Sequence, residues 1–134
     1  MPLGGILCAM KRVFKTLSFN RWLRKSAVTD ALLCAAVKEM EKGLIDASLG
    51  GGVVKKRIAV PGRGKSGGAR TLVATNYKHR WFFVFGFEKN VRANINVNEL
   101  EALQDIAADL LTLGSHHLDE AVTTGKLLEI CNEH

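Results

Sequence analysis

Along the chain, runs in which apolar and polar residues alternate give way to runs in which apolar residues recur every three or four positions. Arg12 to Phe19 reads as a first strand, with Val13, Phe14, Leu17 and Phe19 apolar around Lys15 and Thr16. Asn20 then caps a short helical turn over Arg21–Arg24. Thr29 caps a longer helix in which Leu32, Leu33, Ala36, Val37 and Met40 share a face. Gly43 is placed to end that helix, because the residue past a helix often turns left-handed and glycine does so without strain. Leu44–Gly52, closing on three glycines, reads as a flexible connection.

Three strands follow in quick succession: Val53–Val60, Ala69–Thr75 and Arg80–Phe87. Asn76–His79 reads as the hairpin turn between the last two. Arg80–Phe87 is apolar on both faces, as expected of a central strand covered on both sides. Asn98 is placed to cap the next helix, where Leu100, Leu103, Ile106, Ala107, Leu110 and Leu111 make one stripe. Ser115 caps a short helix over Leu118–Thr124 that Gly125 stops, and Lys126–Cys131 reads as a short final strand or a tail. Consecutive strands flanked by helices predict an α+β fold. The sheet is expected to be mostly antiparallel, with about four strands, N-terminal helices on one side and C-terminal helices added.

With 134 residues there is room for one domain. It is expected to span residues 10–134, because Met10-Lys-Arg-Val-Phe-Lys opens the strand pattern; residues 1–9 read as a dispensable extension. That extension lacks the positive start of a signal peptide, and no apolar run approaches the ~20 residues needed to cross a bilayer. A cytoplasmic protein with no membrane partner is expected. Cys8, Cys34 and Cys131 lie far apart without a CxxC pair, so reduced thiols are expected, with neither a disulfide framework nor a zinc site.

Charge changes the picture more. The formal net charge is +6 with a pI near 9.5, a balance that favours polyanionic partners, nucleic acid above all. The basic residues fall almost entirely between Lys11 and Arg92; past Arg92 only Lys126 remains, among acidic residues. On the strand Val53–Val60, alternation puts Val54, Lys56, Ile58 and Val60 on one face and Lys55 and Arg57 on the other. Two like charges so placed need solvent or an anion, and a solvated outer face meets that need as well as a binding site does. Next, Pro61-Gly-Arg-Gly-Lys-Ser-Gly-Gly-Ala-Arg70 offers a Gly-rich backbone able to approach phosphates, with Arg63 and Lys65 adding charge. Arg70 opens the following strand, where its planar fork can be aimed. At the far end of the buried strand, Phe87, Lys89 and Arg92 add an aromatic face and two more cations. For Phe87, core packing is the better reading.

Two motifs mislead. Ala59–Ser66 satisfies a loose phosphate-binding P-loop, but that motif needs a helix opening at the Lys-Ser pair, and Gly67-Gly68 start helices poorly. His116-His117 point about 100° apart on a helix and have no Cys or acidic partner at ligand spacing, so they read as surface histidines. No metal or other cofactor is expected.

Several blocks resemble one branch of the RelE/HigB toxins of type II toxin–antitoxin systems. They are Val13-Phe-Lys-Thr, Phe19-Asn-Arg-Trp22, Met40-Glu-Lys-Gly-Leu-Ile-Asp46, Leu49 to Arg57, Pro61 to Leu72, Phe85-Gly-Phe-Glu-Lys-Asn90 and Asn94-Ile95. The likeness runs from about Met10 to Ile130, and Gly64-Lys-Ser-Gly-Gly-Ala-Arg-Thr71 is its most specific block. The resemblance implies a compact twisted sheet with helices on one side, and cleavage of mRNA in the ribosomal A site by the RNA's own 2′-hydroxyl. It implies the ribosome as a partner and a co-encoded antitoxin, in this branch a helix-turn-helix DNA-binding protein. By the same resemblance Lys55, Arg57, Arg70 and Lys89 are the expected catalytic cations. Lys56, Arg63, Lys65, Phe87 and Arg92 are expected to touch RNA. Tyr77, the only tyrosine, sits in the hairpin and does not fill the late acid or base position of some relatives. Two other readings stay open: a ParE-like gyrase inhibitor on the same fold, which would lack the cationic set, and an RNA-binding module that does not cut.

Overall fold

A computed structural model describes residues 11–60, 62 and 68–131. The first strand, β1 (Arg12–Thr16), is shorter than its sequence pattern predicts. Thr16 turns the chain: its Oγ1 accepts the Phe19 N–H at 3.2 Å and so caps α1 (Leu17–Arg24). Asn20, expected as the cap, therefore lies inside the helix. Thr29 caps α2 (Asp30–Glu41) through the Leu32 N–H, and Gly43 follows it at φ +91°, both as expected.

The segment expected as a flexible connection contains β2 (Ala47–Gly50). It pairs with β3 (Val53–Ile58) across Gly50, Gly51 and Gly52, all at positive φ, where a Cβ would be strained. Antiparallel pairing continues to β4 (Ala69–Thr75) and β5 (Arg80–Glu88). Then come α3 (Val97–Leu111), α4 (Ser115–Thr123) and β6 (Leu127–Ile130). Two more caps, besides that of α1, differ from expectation. Asn96, not Asn98, caps α3, because only Asn96 stands three residues before Glu99 and can exchange hydrogen bonds with it in a capping box. Gly114 occupies the α4 N-cap position, which puts Ser115 inside the helix.

The fold is α+β, as expected, and its sheet runs β2-β3-β4-β5-β1-β6. Six strands replace the expected four or so among the described residues. One pairing breaks the antiparallel rule: β1 lies parallel to β5, Arg12 opposite Arg80 and Lys15 opposite Phe83. Parallel neighbours need a long crossover, and the whole run from Leu17 to His79 supplies it.

Each sheet face carries its own core. Beneath α1 and α2 lie Val13, Val54, Val73, Trp81 and Phe83, with Phe19, Leu33, Val37 and Met40 of the helices. The opposite face buries Phe14, Val53, Leu72 and Phe82 against Leu103, Ala107 and Leu118 of α3 and α4. Ile106, expected in the α3 stripe, is 42% exposed. The cysteine expectation is overturned as well: Cys34 on α2 and Cys131, just past β6, form a disulfide with Cα atoms 5.7 Å apart. Separated by 97 positions, they meet because α2 and the end of β6 share one core.

Candidate functional site

Strand register assembles the site. Arg57 of β3 and Arg70 of β4 are Cα partners, and Phe87 of β5 is Arg70's partner on its other side. These three form one row across the sheet on the α3 face. Lys55, Leu72 and Phe85 form the next row. Further along, β3 and β4 carry the buried Val53 and Ala74, so exposure rises toward Arg57 and Arg70.

Like charges directly opposite one another repel unless an anion or water lies between them. Among the described residues no ion pair joins a carboxylate to the side chain of Lys55, Arg57, Arg70 or Lys89. The Nη1 of half-buried Arg70 is itself buried and has no hydrogen-bond partner among the described residues. Removing a guanidinium N–H from water without a partner is unfavourable, so this geometry is ready for an incoming acceptor. Backbone contacts hold the row in place. The Arg57 N–H donates to the Asp46 carboxylate, and the Lys89 N–H donates to the Gly68 carbonyl at 3.3 Å. Gly68 itself is buried so close to Ile58 that a Cβ would stand 3.0 Å from the Ile58 carbonyl oxygen.

The remaining expected RNA contacts divide. Lys56 points to the opposite face, buried, with Nζ 2.7 Å from Glu39 Oε1 and donating to the Leu44 carbonyl at 2.9 Å. Phe87 is buried, and the Arg92 guanidinium lies 5.6 Å from its ring centre and 5.8 Å from that of Phe85. Both terminal nitrogens of Arg92 donate to the Glu99 carboxylate. That hydrogen bonding raises the Arg92 pKa, and together with the Asn96 backbone N–H it holds the Glu99 carboxyl below its usual range. Glu99 is a residue that sequence reasoning missed, although the Asn96-x-x-Glu99 spacing was available to find it. Arg63 and Lys65 lie outside the described residues. So does most of the P-loop-like segment, but β4 begins at Ala69, leaving no room for the helix that motif requires.

Another charged cluster sits at the far end of β5. Arg12 is bound by Glu129 and Asp119, and buried Arg80 donates to Ser115 Oγ at 3.2 Å. Burial, helped by the Arg12 charge, lowers the Arg80 pKa. These arginines hold β1, β6 and α4 together.

A family model described as the RelE toxin of the RelE / RelB toxin–antitoxin system matches residues 11–130. The chain belongs to the RelE toxin family. Comparison with curated proteins finds no match. A RelE toxin has a cognate antitoxin, so this chain has one such partner. The RelE match spans every described element, from β1 to β6, and both rows of the candidate site. Among the described residues of this RelE toxin, no helix is long and apolar enough to cross a membrane, and no three His, Cys, Asp or Glu residues form a group that could hold a metal ion.

Proposed function

We propose that this RelE toxin is a ribosome-dependent endoribonuclease that cuts mRNA in the A site, acting in the cytoplasm with the RNA's own 2′-hydroxyl as nucleophile. The observation that carries the reading is the Arg57–Arg70 pair: two cations directly opposite one another whose side chains form no ion pair among the described residues, one with a buried N–H unpartnered there. In the reaction the 2′-oxygen bonds to phosphorus, the bond to the 5′-oxygen breaks, and a proton passes from the former to the latter. Negative charge gathers on the equatorial oxygens. Fixed cations stabilise that state more than the ground state. Arg70 clamps the phosphate with its planar fork, and Arg57 neutralises the same group from β3. Lys55, one row along, accepts the 2′-hydroxyl proton when it stands as the neutral amine, and Lys89, as the ammonium, gives a proton to the departing 5′-oxygen. The antitoxin, a helix-turn-helix DNA-binding protein by the sequence resemblance, would restrain the activity.

Primer extension on mRNA from a cell-free translation reaction tests the reading. Wild type cuts within the reading frame. Arg70→Ala slows cutting about 10²–10³-fold, the usual cost of one preorganised donor. Arg70→Lys regains part of it, because a point charge replaces the charge but not the fork. Full-rate cutting by Arg70→Ala would overturn the assignment. Bound but uncut mRNA would leave a passive RNA-binding module, and inhibited DNA gyrase with intact mRNA would favour the ParE-like alternative.

A further inference from the structure

Beyond Phe83, β5 runs on to Glu88 after its pairing with β1 has ended. There the strand is flanked by unusual groups. Trp22 of α1 lies over Gly86 so closely that a Cβ on Gly86 would stand 2.4–2.9 Å from the indole's six-membered ring. Past Glu88 the chain turns back, with the Val91 and Arg92 N–H groups both donating to the Glu88 carbonyl. A cleft of about 330 Å³ opens here, lined by Trp22, Phe85, Gly86, Phe87, Glu88, Val91 and Arg92. Aromatic rings, the planar Arg92 cation and Glu88 line it, and at Gly86 the backbone lies directly against the Trp22 ring.

Three features select its occupant. Phe85 and Trp22 are only half buried, so their rings line the cleft. The Arg92 guanidinium is fixed over Phe85 and Phe87 by Glu99, a flat surface held in one orientation. Phe87, which lines the cleft, is also Arg70's neighbour across the strands, so the cleft and the phosphate site flank the same buried ring. Aromatic faces and guanidinium planes are the groups on which unpaired bases of RNA stack. An aliphatic peptide side chain would gain little from the cation and nothing from the neighbouring phosphate clamp.

We propose that this cleft is a nucleobase pocket, holding the base of a nucleotide next to the phosphate gripped by Arg70. The proposal rests on the RNA-cleaving reading and adds where the RNA is gripped beside the cut. The pocket makes Phe85, Arg92 and Trp22 base-binding residues and Glu99 a positioning residue that keeps Arg92 flat.

The test uses stalled ribosomes carrying mRNA with 2-aminopurine at one A-site position and 2′-deoxyribose at every A-site position, so that nothing is cut there. Adding the full chain should change 2-aminopurine emission at one position only. Phe85→Leu should weaken binding about tenfold, within the range for losing one stacked base, without changing its salt dependence. Arg92→Lys keeps the charge and loses the plane, and should act in the same direction. Because Phe85→Leu touches the core, Val91→Trp serves as the second probe. Val91 is 76% exposed, and a ring there plugs the cleft without disturbing packing. Glu99→Gln should weaken binding less than Arg92→Lys does. Silent 2-aminopurine at every position, with wild-type cutting intact and unchanged in Phe85→Leu and Val91→Trp, would overturn the pocket and leave the nuclease standing. Variants that lose antitoxin binding while cutting RNA normally would reassign the cleft to the antitoxin. A wild-type chain that neither binds nor cuts would overturn both readings.

Discussion

Three consecutive cations on β3 meet different surroundings. Lys55 and Arg57 lie on the α3 face in rows with Leu72 and Arg70, whereas Lys56 is buried under α2 and held by Glu39 and the Leu44 carbonyl. Alternation along a strand was enough to separate Lys56 from its neighbours in the sequence. What Lys56 meets was not legible, because Glu39 arrives by packing of a helix whose placement no local pattern encodes. The same holds for Arg92, whose charge was visible but whose pairing with Glu99 depends on where α3 begins. A consequence at this scale concerns Lys56→Met. Glu39 is half exposed, so water can take over its carboxylate, and an apolar chain of similar length fills the Lys56 site. Stability should change by about 1 kcal/mol or less. RNA affinity should be unchanged, while Arg57→Met lowers it with a shallower salt dependence. Denaturant unfolding and ribosome binding measured on both variants check this. Equal losses of affinity would return Lys56 to the RNA-contacting set.

Helix α3 begins at a capping box, and its Glu99 serves two partners, the Asn96 N–H and the Arg92 guanidinium. Both favour the charged carboxylate, which is why its pKa falls below the usual range. A depressed carboxyl stabilises the folded form above its unfolded pKa, and that contribution is lost as pH falls through the folded value. Hydrogen exchange of the first α3 turn should therefore quicken below the usual carboxylate range in wild type. In Glu99→Gln the turn should already exchange faster at neutral pH and show no such step. An identical pH profile in both chains would contradict the pairing. At this scale the long elements were legible: α2, the middle strands and α3 have strong periodicity. Boundaries set by single hydrogen bonds were not, as at Thr16 and at Asn96 against Asn98. Nor was β2, whose Ala-Ser-Leu-Gly has little strand character. Pairing with β3 holds it, as do hydrogen bonds from Gln104 of α3 to the Leu49 and Gly50 carbonyls.

Across the whole molecule, the two features that sequence could not supply join residues far apart: the parallel β1–β5 pairing and the Cys34–Cys131 disulfide. Neither has a local signature, since both follow from which elements share a core. A cross-link closing a loop of this length stabilises by about 4–5 kcal/mol in the chain-entropy picture. Reduction should thus lower the urea midpoint of wild type and leave that of Cys131→Ser unmoved. Three titratable thiols in the unfolded, unreduced chain would deny the bond. The placement of the candidate residues, in contrast, was largely readable, because β3, β4 and β5 are sequence neighbours that pair in chain order. The row Arg57–Arg70–Phe87 is what the proposed nuclease depends on, and the chemistry of the cut ends bears on it without any mutation. Mass spectrometry of fragments from a cell-free translation reaction should find 2′,3′-cyclic phosphate on the upstream piece and 5′-hydroxyl on the downstream piece. Fragments ending in 3′-hydroxyl and 5′-phosphate would mean that water, not the 2′-hydroxyl, attacks the phosphorus, and would contradict the mechanism.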